Sequence, residues 1–554
     1  MREKCTILQR LIRSRVLRGR KAVFGKLDFF FSIWCINVVD SVGVLGYGVY
    51  IPFERILTET IVKAREGKRK DLVELLDKVR NGLLLRQKAI AGDFEDTITM
   101  ATEAAENAVR MAQMDPMSIG TVIAGSESKP YAVGQIARHV ASFVGVGREV
   151  FSADIEGACN AGMQALSFVD SEIKSGKIKC GLVVGADVAE APRGDPLEYA
   201  AGAGAGAFVL GPNDNAIATI VDIAPYSSLM MDFWRRQEIP VPSHLGRTTV
   251  ESYVEHVTGA IAGLLKKHPD IRVRDFDYIT FHQPSGYMPL KACKAMAQEK
   301  PGLSDDPDID ERMRLTAKDI EEKIKPWFRV LDTGNTYAAS TPIAVAGILD
   351  KADPGQDILA VSYGSGAYAN ATWIRTREPL LEQRKRIPSV QDYVDRRIEI
   401  HLRTYQDHVV ERLRKIRTAM EFRRIVGDIE PIGNEKLEIL LCEKCKRIFY
   451  PSRKQCLSAD CEGETSRISL PKVAKLRSYW RLSLKERLTT SFDIVKSGHA
   501  LLVDFAVGDL SIGMKLEATI KRLDYEGRDG LIIYGPAYRP IFREKPEAAP
   551  SNKG

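Results

Sequence analysis

Residues 96–187 and 252–366 run through the same order of elements, and this repetition narrows the possible folds more than any other feature of the chain. From Asp96 to Met114 the sequence has helical periodicity with alanines on its inner face, and Asp115-Pro116 stops it. A buried strand, Ile119–Ala124, ends in Gly125-Ser126-Glu127-Ser128. A turn carrying Cys159, a helical stretch and a second buried strand reaching Asp187 come next. Downstream the order recurs: a helix over Ser252–His268, then a strand, Asp277–Phe281, ending in His282-Gln283-Pro284. A turn holding Asn335 and Tyr337, a helix over Thr341–Asp350 and a strand ending in Tyr363-Gly364-Ser365-Gly366 complete it. Glu127 matches His282 in this order, and Cys159 matches Asn335; the charged insertion Gln298–Lys325 lengthens the second copy. Helices alternating with short buried strands predict an α/β fold, and the duplication predicts two similar halves around one site.

The turn FSADIEGACNAGMQAL (151–166) places a lone thiol where strand gives way to helix. Unpaired N–H groups and the positive end of the helix dipole favour a thiolate there, which would make Cys159 a nucleophile. The turn alone is equally compatible with a small, inert buried cysteine.

With 554 residues there is room for three or four domains, and 44% hydrophobic against 28% charged residues reads as a soluble globular protein. The net charge of +7 comes from residues 1–26, which hold nine Lys/Arg against Glu3, so the rest of the chain sums to −1. That balance gives no bulk electrostatic case for nucleic acid. Residues 1–38 resemble the charged and apolar regions of a signal peptide, but Asp28 and Asn37 interrupt the apolar run and no small-residue cleavage site follows. They are read as an appendage, from a misplaced start, and as no membrane span. Five of the nine cysteines are scattered and four cluster at Cys442, Cys445, Cys456 and Cys461, a pattern of a reducing, cytoplasmic compartment with one metal site.

The segments GSESKPYAV, IEGACNAG, GDPLEYAAGAGAGAF, FHQPSGYMPLK, GNTYAAS and SYGSGA stand in an order that resembles the thiolase superfamily, and within it the archaeal-type hydroxymethylglutaryl-CoA synthases, over roughly residues 40–415. The resemblance implies a five-layer α-β-α-β-α core, the substrates acetyl-CoA and acetoacetyl-CoA, a place in the mevalonate route to isoprenoids, and no redox cofactor. It implies that Cys159 carries an acetyl group, that Glu127 removes a proton from its methyl, and that His282 hydrogen-bonds or protonates the acceptor ketone. Asn335 and Tyr337 would orient thioester and water, and Asp187 would stand near the substrate. A backbone N–H of the Tyr363–Gly366 loop (Tyr363, Ser365, Gly366) would complete an oxyanion hole with that of Cys159. Lys291 and Arg247, with Arg235 and Arg236, are candidates to meet the CoA phosphates. The charged stretch Leu57–Gly92 reads as a lid or an oligomer arm, and a homodimer or higher homo-oligomer is expected.

Beyond the core, two cysteine pairs suit a four-thiolate structural zinc site, with unligated thiols as the alternative. Residues 470–543 alternate apolar and polar residues in short runs, the pattern of a small β-barrel. Ribbon and barrel together resemble the acyl-CoA-associated zinc-ribbon/OB-fold proteins, which implies an adaptor toward an acetoacetyl-CoA thiolase. The expected division is 1–38 appendage, 39–240 first half, 241–376 second half, 377–430 charged helical linker, 431–467 zinc ribbon, 468–545 OB-fold and 546–554 tail. Rival readings are another condensing enzyme of the superfamily, either a ketoacyl synthase or an acyltransferase, and a non-catalytic acyl-CoA-binding scaffold.

Overall fold

The computed structural model describes residues 41–541 apart from 68–69, 237–238, 240, 300–301, 416–437, 446–447, 450–460, 462, 470–472, 477–478, 483–486, 493–497, 503–509 and 527–530. The N-terminal appendage, the C-terminal tail and Cys456 lie outside the described residues.

The first half runs β1 (Val42–Tyr50), α1 (Thr97–Ala112), β2 (Ile119–Gly125), α2 (Ile136–Val144), β3 (Phe151–Ile155), α3 (Ala161–Lys174), β4 (Cys180–Val188) and β5 (Ala203–Gly211). The second runs β6 (Ala218–Met230), α4 (Gly246–Lys267), β7 (Tyr278–Phe281), α5 (Tyr287–Met296), α6 (Ser340–Leu349), β8 (Asp357–Gly364) and β9 (Gly366–Thr376). Their strands form one sheet in the order β7-β8-β9-β6-β1-β5-β4-β2-β3. The two halves of that sheet meet only where Val42–Val44 pairs with Ala218–Ile220. Within each half the pairing repeats: β2 is parallel to β4, which is antiparallel to β5, and β7 is parallel to β8, which is antiparallel to β9. The duplication read from the sequence is therefore present in the hydrogen-bond pattern.

Helix α1 starts at Asp96, whose side chain accepts from Thr99 N while Thr99 Oγ1 accepts from Asp96 N, a closed capping box. Its alanine face packs on β1 and β5, and α4 packs in the same way on β6 and β9. Helix α6 buries all ten of its residues, as only a helix covered on both sides does, and it touches α3 as well as strands of both halves. The layers are outer helix, strands, inner helices, strands, outer helix. Close approach fixes the inner layer: a Cβ at Gly162 on α3 would lie 2.5 Å from Ala338 O and 3.1 Å from Gly185 Cα.

One expectation changes here. Residues 377–415 were expected within a linker, but Leu380, Val390, Tyr393 and Tyr405 are buried and Ile398–Glu399 pairs with the strand Glu54–Leu57. Their charges lie between apolar residues spaced to cover the core, so charge density alone misled. The stretch 57–92 forms a helical excursion closed by the strand Gln87–Ile90, and it is pinned to the core where Arg65 pairs with Glu198 and Lys88 Nζ donates to Glu198 O. Farther on, Glu438–Cys442, Ile448–Phe449 and Thr465–Ser469 form a three-stranded sheet. A six-stranded sheet contains β10 (Lys515–Glu526) and β11 (Leu531–Pro540).

Candidate active site

The carboxyl ends of β2, β3 and β4 bring Glu127, Cys159 and Asp187 to one place, and those of β7 and β8 bring His282 and the 363–366 loop. Cys159 Sγ donates to Glu127 Oε1 at 3.3 Å. Burial, then the charge of Asp187, pushes the Glu127 carboxyl up to about 8. Burial, then the neighbouring Glu127 carboxylate, holds the Cys159 thiol well above its ordinary value, with a hydrogen bond from the Asn335 side chain acting the other way. The expected thiolate at the helix start is thus corrected. Desolvation and an adjacent acid outweigh the helix dipole, so the resting sulfur is a thiol whose proton points at Glu127.

Asp187 organises the surroundings. Its Oδ1 accepts from Ser126 Oγ (2.8 Å), Glu127 N (2.9 Å), Ser128 N (2.9 Å) and Ser128 Oγ (2.6 Å), and its Oδ2 accepts from Ala338 N (2.8 Å). With five donors it holds two turns together beside Glu127. Asn335 Oδ1 accepts from Tyr337 N at 3.0 Å, and the buried Tyr337 ring meets Phe233 edge-on at 6.0 Å. His282 is 1% exposed, and burial lowers its pKa to about 3, so it is neutral. Its Nδ1 is buried without a hydrogen-bond partner. The unpaired ring nitrogen of a neutral imidazole is free to hydrogen-bond a ligand, and the ring does not arrive as a charged acid.

Three non-glycine residues around the site have left-handed backbone: Ala158 (φ 44°), just before the thiol, Tyr337 (φ 47°) and Ala367 (φ 82°). Each such conformation costs about 1–3 kcal/mol, and their gathering at three turns around one thiol marks a strained functional centre.

Other expectations separate. Tyr363 Oη bonds to Ser252 Oγ (2.8 Å) and Asp232 Oδ2 (3.1 Å), and Gly366 N–H donates to Asp232 Oδ1 (2.9 Å). Neither the Tyr363 phenol nor the Gly366 N–H is available to an oxyanion. The Arg247 side chain is 93% exposed and pairs with Glu251. Lys291 stands on α5 with its ammonium over the Tyr287 ring at 5.2 Å. Arg235 does reach the centre, its Nη2 donating to Glu127 O at 3.0 Å.

A family model described as "Thiolase, N-terminal domain" matches residues 88–205. Hydroxymethylglutaryl-CoA synthase of Methanopyrus kandleri is 37% identical over 362 residues, covering 65% of this chain and 95% of the relative. That of Methanothermobacter thermautotrophicus is 40% identical over 353 residues, covering 64% and 93%. The chain belongs to the hydroxymethylglutaryl-CoA synthase family. About a third of it lies outside what these synthases match. A solved structure of MvaS in complex with 3-hydroxy-3-methylglutaryl coenzyme A shares the fold at 24% identity and TM-score 0.58, covering 66% of this chain and 91% of that one. The curacin-pathway HMG synthase shares it at 20% identity and TM-score 0.57, covering 68% and 89%.

Two residues of this synthase site gave no sequence signal. Asp232, in an irregular loop, is fully buried and anchors the 363–366 turn. Tyr368 follows the SYGSGA run, and its hydroxyl lies where a Cβ on Gly157 would come within 2.1 Å. A side chain at position 157 would therefore displace Tyr368 and Gln164 in the turn before Cys159. Pairing of β9 with β6 and β8, invisible in one-dimensional order, is what brings Tyr368 there.

Proposed function

We propose that Cys159 takes the acetyl group of acetyl-CoA, releasing CoA, and that the acetyl-enzyme condenses with acetoacetyl-CoA to give hydroxymethylglutaryl-CoA. Glu127 accepts a proton from the acetyl methyl, and the enolate carbon attacks the acceptor's ketone carbon. His282 hydrogen-bonds the oxygen that becomes the alkoxide, a proton equivalent to the one Glu127 took converts it to the hydroxyl, and water then cleaves the Cys159 thioester to the product carboxyl and the free thiol. Cys159 N–H and Ser365 N–H are the donors assigned to the acyl oxygen, Gly366 being engaged with Asp232. Asn335 and Tyr337 orient the thioester; Lys291 and Arg235 are assigned to the anionic CoA. The 3.3 Å contact between Cys159 and the buried Glu127 carboxyl carries this reading, because removing a proton from an acetyl group on the sulfur takes a base within its reach, and burial strengthens this one. A decarboxylating ketoacyl synthase needs no acid there. The test is Glu127→Gln: Cys159 should still label with radioactive acetyl-CoA, while condensation falls about 10²–10⁴-fold. Undiminished condensation would remove Glu127 from the role.

Cys442, Cys445 and Cys461 are assigned to a structural zinc ion, with Cys456 as fourth ligand. Their sulfurs lie within 4.8 Å of one another, with Cys442 and Cys461 at 3.6 Å, near the roughly 3.8 Å expected of sulfurs sharing one zinc through bonds of about 2.3 Å. The Cys445 N–H donates to Cys442 Sγ and lowers that thiol's pKa, which suits a thiolate ligand. Zinc content of one ion per chain, lost in Cys442→Ser, tests this. A homodimer through β3 fits the same reading: β3 is a sheet edge, and Phe151 and Phe168 lie exposed beside it with ring centroids 6.4 Å apart. An OB-type barrel, a reducing cytoplasmic location and supply of the acceptor by a thiolase complete the proposal. Among the described residues, no helix is long and apolar enough to cross a membrane.

A further inference from the structure

The C-terminal strands β10 and β11 do not hang from the core. Lys521 Nζ, 2% exposed, pairs with Glu95 Oε1 at 2.9 Å, Arg539 pairs with Glu103, and Thr519 Oγ1 donates to Glu103 Oε2 at 2.8 Å. Arg522 N–H donates to Phe94 O at 2.8 Å. These contacts fall on the first turns of α1 and on the loop before it, next to the segment that carries Glu127.

Tyr534 reaches that segment in two directions. Its hydroxyl donates to Asp96 Oδ2 at 2.8 Å. Asp96 caps α1, and the next residue, Thr97, donates through Oγ1 to Ser128 O at 2.7 Å. Ser128 and Glu127 share the Asp187 carboxylate, so the path ends on the backbone of the base. The Tyr534 ring meets His139 edge-on at 5.7 Å, and His139 stacks on Tyr131 at 6.0 Å, farther along the same loop. One side chain thus braces the 127–135 loop near both its beginning and its middle.

We propose that Tyr534 is a positioning residue for Glu127, through which the C-terminal sheet sets the geometry of proton transfer in the condensing site. The inference rests on the role given to Glu127 above. It makes the C-terminal module part of the catalytic unit in its own chain, whatever else that module binds.

The test uses the full chain with Tyr534→Phe, Thr97→Val and the double substitution. The amplitude of Cys159 acetylation by labelled acetyl-CoA counts folded sites, and condensation is then expressed per acetylated site. Tyr534→Phe should keep the amplitude and the KM for acetoacetyl-CoA, yet lower kcat about 10- to 100-fold, because a displacement of the base below 1 Å is enough for such a loss. The limb of the pH profile set by Glu127 should shift in the same variant. The double substitution should be no worse than the more severe single one, since both cut one path. Unchanged kcat per acetylated site, an unshifted profile or multiplicative effects would overturn the inference, and Thr97→Val alone carries the same prediction if Tyr534→Phe does not fold. Native protein that is never acetylated, or is acetylated without condensing, would overturn the reading of Glu127 itself and this inference with it. Active native protein with unaffected variants overturns the inference alone.

Discussion

At the scale of single residues, the site is a set of groups displaced from their ordinary protonation by burial. The Glu127 carboxyl, raised to about 8, takes up its proton more readily in the folded chain than in the unfolded one. Its contribution to stability is therefore present below about pH 4.5 and is lost as pH rises through about 8. Glu127→Gln should raise the melting temperature, by more at pH 9 than at pH 5; thermal scans at the two values check it, and an equal shift would contradict it. His282 has the opposite sign: lowered to about 3, its contribution is present above about pH 6.5 and is lost as pH falls toward 3. In turnover, kcat/KM should rise with pH through an apparent pKa near 8, belonging to the Glu127–Asp187 pair and not to either carboxyl alone. The four residues Glu127, Cys159, His282 and Asn335 were legible in the sequence because each stands in a motif at the end of a strand or the start of a helix. Their protonation was legible only in part. A raised Glu127 follows from burial, but the loss of the expected thiolate depends first on the burial of the sulfur and then on a carboxyl 32 residues away being folded against it.

At the scale of elements, the duplicated order of helices and strands told the fold, since periodicity and glycine turns are local. Contacts that depend on pairing did not show: Tyr368 and Asp232 enter the site through strand register and an irregular loop. The inner layer is governed by backbone approach, so Gly162→Ala should push α3 from Ala338 O and cost about 1–3 kcal/mol. Denaturant unfolding measures that loss, and activity should fall with it, because α3 begins two residues after Cys159. At the C-terminal interface, Lys521→Met leaves Glu95 buried beside Tyr50 without its cation, and about 3–5 kcal/mol of stability should go. The double change Lys521→Met/Glu95→Gln should recover much of it; failure to do so would mean that the ion pair is not what holds β10 on the core.

At the scale of the whole molecule, a duplicated core supplies a carboxyl and a thiol from one half and a histidine and an amide from the other, and a C-terminal extension packs against the start of α1, which is hydrogen-bonded to the Glu127 loop. The extension was legible as a cysteine cluster followed by alternating strands, but its docking was not, because Lys521, Tyr534 and Arg539 look like ordinary surface residues until Glu95, Asp96 and Glu103 are folded against them. The central claim is that Cys159 carries an acetyl group that Glu127 activates for condensation. The most direct measurement is CoA release by thiol titration from the protein given acetyl-CoA plus acetoacetyl-CoA, with the product identified and Cys159→Ala run alongside. The account predicts release in stoichiometric step with hydroxymethylglutaryl-CoA, requiring both substrates and absent in Cys159→Ala. Sustained condensation by Cys159→Ala, or acetylation of the native thiol that no acetoacetyl-CoA can discharge into product, would contradict it.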